Sequence, residues 1–154
     1  MNDFDALYRE LKGEVQAVAD PLFDFAERQV RKRGAFLPFG ASLNRRGAVD
    51  LQAAWTGEEV TNSAEILPAM HARLRAVGAD PDTAAVAVCE WVKIMPEGGS
   101  QTDAVKVVVE HIRGLAVALY LPCRKRLIGG WQFGDTFALR VQPEILAWNA
   151  DGAS

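Results

Sequence analysis

AAVAVCEWVKIM (residues 84–95), DAVKVVVEHI (103–112) and LAVALYLP (115–122) are the runs whose reading decides the fold. The first two are rich in valine, the third in leucine and alanine, and each is bounded by turn residues. Pro96, Gly98 and Gly99 separate the first from the second, and Arg113-Gly114 separates the second from the third. β-Branched runs between such punctuation read as strands. Arg113-Gly114 fits a tight hairpin, and connections this short join antiparallel neighbours, so the three runs form a meander. In the third run Leu115, Val117, Leu119 and Leu121 alternate with Ala116, Ala118 and Tyr120. One face of that strand is strongly apolar and the other is small.

Upstream, Asn62 and Glu65 have the spacing of a capping box, and Leu67, Met70, Leu74 and Val77 recur at helical spacing as far as Gly78. Pro68 requires either a kink or a regular helix that starts near it. Before that helix, AFLPFGASL (35–43) and AVDLQAAWT (48–56) read as a hairpin closed by the turn Asn44 to Gly47. Pro38 makes the first of these an edge strand or a bulged one. Phe4, Leu7, Tyr8, Leu11, Val15 and Val18 mark one face of an N-terminal helix, with Asp3 and Asp5 at its positive end. Asp20-Pro21 reads as the cap and first residue of a second helix carrying Leu22, Phe23, Phe25, Ala26 and Val30. That helix stops at Arg31-Lys32-Arg33-Gly34. Downstream, Gly129, Gly130 and Gly134 punctuate WQF and TFALRV, which pair weakly with the sheet, and residues 150–154 fray.

The order is therefore ααββαβββ. The expectation is an α+β fold, with an antiparallel sheet of about five strands and helices packed on one face. A chain of 154 residues is the size of one domain, with helices over 3–33 and the sheet and its helix over 35–148. An apolar fraction of 49% and a charged fraction of 24% are ordinary for a globular protein. The net charge of −3 gives no overall attraction to nucleic acid or to an anionic membrane, so neither is expected as a partner. No apolar run is long enough to span a bilayer, and MNDFDALYRELK lacks the basic start and apolar middle of a signal peptide. The expected location is the cytoplasm. The two cysteines, Cys89 and Cys123, lie in apolar stretches and read as reduced, buried thiols.

Chemistry-bearing residues are few. His71 and His111 lack the close spacing to cysteine of a zinc site, so no metal and no cofactor is expected. Antiparallel pairing through residues 96–102 brings Cys89 opposite residues near 109, one side-chain pair from His111. A thiol–imidazole couple is conceivable there, but apolar neighbours make a thiol inert. Glu90 and Glu110 each interrupt a valine-rich strand. A carboxylate on an apolar face is expensive to bury unless paired; either the face is a wet outer one or the strand an edge, with Lys93 or Lys106 as partner, or the two carboxylates serve an acid–base task. The catalytic candidates are thus Glu90, Glu110, His111 and Cys89. Of the four tryptophans, Trp55, Trp91, Trp131 and Trp148, an exposed one would be a binding anchor. Trp91 and Tyr120 are the binding candidates, placed on a sheet face left for a partner. The cations Arg28, Arg31, Lys32, Arg33, Arg45 and Arg46 read as compensation of a helix C-terminus plus a solvated turn. No nucleotide-binding glycine loop or nucleophile elbow occurs.

GAFLPFGASLNRRGAVDL (34–51), TDAVKVVVEHIRGLAVALYLPCRKR (102–126) and GGWQFGDTFA (129–138) together resemble an uncharacterised family of small bacterial proteins. Its members begin with a helix, carry a G-x-F-x-PFG segment, and later a D-A-[IV]…E-H…Y-x-P hairpin ending in an aromatic-Phe-Gly element. The resemblance spans most of the chain after residue 20 and implies no activity, cofactor or ligand. With no catalytic pattern, the expected function is that of a non-enzymatic interaction or accessory protein, immunity-like in character. Its partner would be another protein or a second copy of the chain. The alternative is a small enzyme or ligand-binding domain using Glu90, Glu110 or His111 in a pocket.

Overall fold

The computed structural model describes residues 3–53, 63–95 and 98–146. Trp55, Trp148, Asn62 of the expected capping box and the tail from residue 150 lie outside them. The chain opens with one long helix, α1 (Asp3–Arg33), and not with two. Pro21 sits inside it and removes one backbone donor, at a cost of about 3 kcal/mol in a helix interior. The buried stripe outweighs that cost. Leu11, Val15, Val18, Leu22, Ala26 and Val30 are all buried, and their spacing passes through residue 21 without a change of phase. Leu22, Phe23 and Val30 beyond the proline each contribute roughly 1.5–3 kcal/mol by burial, so continuing the helix is favoured over breaking it.

The strands are β1 (Phe39–Asn44), β2 (Val49–Gln52), β3 (Thr83–Ile94), β4 (Thr102–His111), β5 (Leu115–Lys125), β6 (Trp131–Phe133) and β7 (Phe137–Arg140). Helix α2 (Ser63–Gly78) links β2 to β3 and contains Pro68. The sheet is antiparallel throughout, in the order β2-β1-β3-β4-β5-β6, with β7 also paired to β5. The fold is thus α+β with an antiparallel sheet, and the sheet is wider than about five strands because WQF and FALR both join β5. The β1–β2 turn is closed by Asn44, whose Oδ1 accepts from the amides of Arg46 and Ala48 at 2.9 Å each. Gly114, at φ 101°, closes the β4–β5 turn.

Strand alternation sorts the core into two parts. Ala85, Ala87 and Cys89 of β3, Val105, Val107 and Val109 of β4, and Val117 and Leu121 of β5 face α1. The neighbouring Val86, Val88 and Val108 face the other way, against Met70 and Leu74 of α2 and Ile145 and Leu146 of the C-terminal segment. The two helices therefore lie on opposite faces of the sheet. This differs from the one-sided packing expected from the sequence. The reason is that β3 is apolar at every position from Ala84 to Cys89, so both of its faces need cover. Gly40 permits the close approach of α2. A Cβ there would stand 2.5 Å from the Ala87 carbonyl oxygen and 3.3 Å from Leu74 Cδ1.

Candidate functional site

Glu90 and Glu110 share a face of the sheet, four residues apart along the β3–β4 ladder. They line one cavity of about 100 Å³ on the α2 face, together with His71, Lys106, Gln142 and Glu144. The β3–β4 register places Glu90 directly opposite Lys106 and Val86 opposite Glu110. Even-numbered residues of both strands share this face, which is why both carboxylates line the cavity.

The Glu110 carboxylate is already fully engaged. It is completely buried. Its Oε2 accepts from the amides of Glu144 at 2.7 Å and Ile145 at 3.0 Å. Its Oε1 accepts from the amides of Leu146 at 2.7 Å and Ile145 at 3.1 Å. Three successive backbone donors wrapped around one carboxylate satisfy a charge that would otherwise be prohibitive to bury. From the other side, Arg75 of α2 donates to the Glu144 carbonyl at 3.0 Å. Residues 144–146 are thus strapped over β3 and β4, and Ile145 and Leu146 seal the smaller core. Among the described residues the side chains of Glu90 and His71 have no hydrogen-bond or ion-pair partner. Neither expected lysine partner is used: Lys93 bonds Asp103 at 2.8 Å, and Lys106 Nζ stands 5.9 Å from the centre of the Tyr120 ring.

His111 takes no part in this cavity. It follows Glu110 on the strand and so points to the opposite face, where it is 3% exposed. Its Nδ1 accepts from the Arg113 amide at 3.1 Å, which places the ring proton on Nε2, and Nε2 donates to Glu14 at 2.8 Å. Arg113 pairs with Glu10, one turn earlier on α1, and holds the Glu10 carboxyl below its ordinary range through that hydrogen bond and charge. His111 and Arg113 therefore tether α1 to the β4–β5 turn. Cys89 shares the α1 face but stands opposite Val107, and His111 lies four residues further along β4, opposite Ala85. The two do not form a couple. Neither cysteine is in a disulfide and both are buried, with Cys123 Sγ donating to the Leu121 carbonyl at 3.3 Å. Burial pushes the Cys89 thiol well above its usual range and the Cys123 thiol up to about 12. Among the described residues no cluster of His, Cys, Asp and Glu is arranged to hold a metal ion.

Trp91 and Tyr120 also lie on opposite faces and not together. Tyr120 stacks on Phe137 with ring centres 5.2 Å apart. Trp91 faces the α1 side, where it meets Phe36 at 5.9 Å and Trp131 edge-on at 5.7 Å. Phe36 in turn meets Phe39, and Phe39 meets Phe25 of α1. This row of rings ends in an open groove of about 310 Å³ between the last turns of α1 and the segment leading into β1. Phe25, Phe36, Leu37 and Phe39 make its apolar floor, and Gln29 and Arg33 stand at its rim. Arg31 lies over the Phe133 ring at 4.7 Å, so the basic end of α1 sits beside β6. Sequence reasoning explained these cations by the helix terminus alone, and nothing in local spacing showed that the GAFLPFG segment folds back beside them.

Comparison with known protein families, with characterised proteins and with solved structures finds no match. Among the described residues no helix is long and apolar enough to cross a membrane.

Proposed function

We propose that this chain is a non-enzymatic, cytoplasmic interaction protein that engages its partner through the end of the molecule where α1 meets β6. The observation that carries this reading is the aromatic groove of about 310 Å³ with a cationic rim, the open concave surface beside Phe25, Phe36 and Arg33. Binding anchors are aromatic side chains and arginines, and this groove offers both. The candidates for catalysis support the same reading by their occupations. Glu110 holds three backbone amides, His111 tethers α1, and the thiols are buried and protonated. Like the family it resembles, the chain carries no signature of an activity.

The second reading is a small enzyme or ligand-binding domain. It is favoured by the unpartnered Glu90 and His71 side chains in the α2-face cavity. Surface substitutions separate the two. Arg33→Glu with Ala35→Glu alters the groove, and Glu90→Gln alters the cavity. Isolation of the tagged protein from its host should yield a co-purifying species that the groove variant loses and Glu90→Gln keeps. The opposite pattern would favour the cavity.

A homodimer forms a further part of the proposal. Phe137 and Leu139 are 42% and 52% exposed on β7 at the margin of the sheet. Exposed apolar edge strands favour pairing with another chain.

A further inference from the structure

We infer that the same end of the molecule docks on an anionic lipid surface, with the tip of the β5–β6 hairpin entering the interface. This deepens the interaction reading above and rests on it. The tip is Leu127-Ile128-Gly129-Gly130. Its two aliphatic side chains are 105% and 88% exposed, so nothing in the described fold shelters them. The hairpin is closed beneath them by the Arg126 amide donating to the Gly130 carbonyl at 2.6 Å, and Gly129 and Gly130 adopt φ 95° and 84°. A closed turn presents Leu127 and Ile128 together at a fixed apex.

The surroundings of the apex are cationic. Arg124, Lys125 and Arg126 lead into it, and Lys125 pairs with Trp131 in the ladder. The basic last turn of α1, Arg31, Lys32 and Arg33, lies against the same hairpin, since Arg31 covers Phe133 and Gly34 approaches Trp131. Of the carboxylates at this end, Asp103 stands opposite Cys123 and is paired with Lys93, Glu27 lies one turn before Arg31, and Asp135 lies two residues past β6. Six cations, three in the last turn of α1 and three just before the apex, thus lie at the same end of the molecule as this exposed aliphatic pair, in a chain whose net charge is −3. Local concentration of charge, and not its total, sets attraction to an anionic surface within a screening length. Aliphatic side chains beside cations, with tryptophan at their base, match the headgroup–acyl boundary, where apolar tips are buried and the cations meet phosphate. Nucleic acid would satisfy the cations but leave Leu127 and Ile128 in water, and base stacking calls for exposed rings in place of aliphatic side chains.

The test is sedimentation of the full chain with vesicles of phosphatidylcholine alone or mixed with phosphatidylglycerol, at low and high salt. The expected result is binding only to the anionic vesicles, weakened by salt. Leu127→Ser with Ile128→Ser, both at exposed positions, should lower the bound fraction about tenfold. Arg124→Glu with Arg126→Glu should abolish the dependence on anionic lipid. Three results overturn the proposal: no sedimentation with anionic vesicles; equal binding by the wild type and the serine variant; or salt-sensitive retention of an oligonucleotide without vesicle binding. A partner protein captured through the groove while vesicles stay unbound would also overturn it, yet would leave the interaction reading standing.

Discussion

Replacing Glu110 by Gln tests whether this carboxylate is a structural fastener. The substitution keeps the side-chain volume but turns one of its two acceptor atoms into a donor. Each carboxylate oxygen faces one amide at 2.7 Å, Leu146 on Oε1 and Glu144 on Oε2. Whichever way the glutamine amide turns, one of these N–H groups loses its acceptor and meets a donor. A hydrogen bond to a charged group contributes roughly 1.5–3 kcal/mol, and stranding a buried N–H costs about 1–3 kcal/mol. If the strap instead detaches, burial of Ile145 and Leu146 is lost at roughly 1.5–3 kcal/mol each. The protein takes the cheaper route, and both routes lead to a loss of about 3–5 kcal/mol. Urea denaturation reads the total, and amide hydrogen exchange at residues 144–146 tells which route was taken. A loss below about 0.5 kcal/mol, the size of an ordinary surface change, would refute the reasoning, provided Ile145 and Leu146 also keep their slow exchange.

Leu11→Ala should cost roughly 2–5 kcal/mol in the same urea assay, since Leu11 is buried between α1 and the sheet and its loss leaves a cavity. Cys89 and Cys123 should resist iodoacetamide at pH 8 in the native protein and react after unfolding, because burial raises both thiols and keeps them protonated there; rapid native labelling would contradict this. The Glu10 carboxyl lies below its ordinary 4.5, so its pairing with Arg113 stabilises the fold above that pH and is lost as pH falls through the depressed value. In Arg113→Ala the Glu10 titration followed by carbon NMR should return towards 4.5. Light scattering should give about twice 16.8 kDa if β7 pairs with a second copy, whereas a mass of 16.8 kDa would remove that contact.

The meander was legible because its strands announce themselves twice, by β-branched composition and by glycine at the turn after His111. Their pairing differs from the expectation by a small step: Cys89 stands opposite Val107, where the sequence places it opposite residues near 109. The N-terminal break was misread because Asp20-Pro21 is a strong local signal for a helix start, while the unbroken buried stripe from Leu11 to Val30 is a tertiary one. Glu110 stands out in the sequence as a carboxylate in a valine-rich strand, but its partners are backbone amides of residues 144–146, and backbone donors leave no mark in a sequence. Leu127-Ile128 passed unremarked because exposure, and not composition, is what makes that pair unusual.

The placement of these features divides the molecule along its strands. At the end of the sheet where β4 runs into β5, consecutive residues fasten both faces. Glu110 secures the C-terminal strap on the α2 side, and His111, with Arg113, secures α1 on the other. A strand can hold two layers at once in this way only because neighbouring side chains alternate in direction. At the opposite end, where β5 runs into β6 and α1 terminates, Lys93 pairs with Asp103, and other side chains are presented: the aromatic groove, the cations and the apex at Leu127. Buried polar groups are costly unless satisfied, so a fold that places them at one end gains rigidity there. Recognition needs the contrary, namely groups whose partners lie outside the molecule. The separation of the two ends supports the proposal that binding belongs to the α1–β6 end, while Glu110 and His111, the two most conspicuous ionisable residues in the strands, hold the fold together.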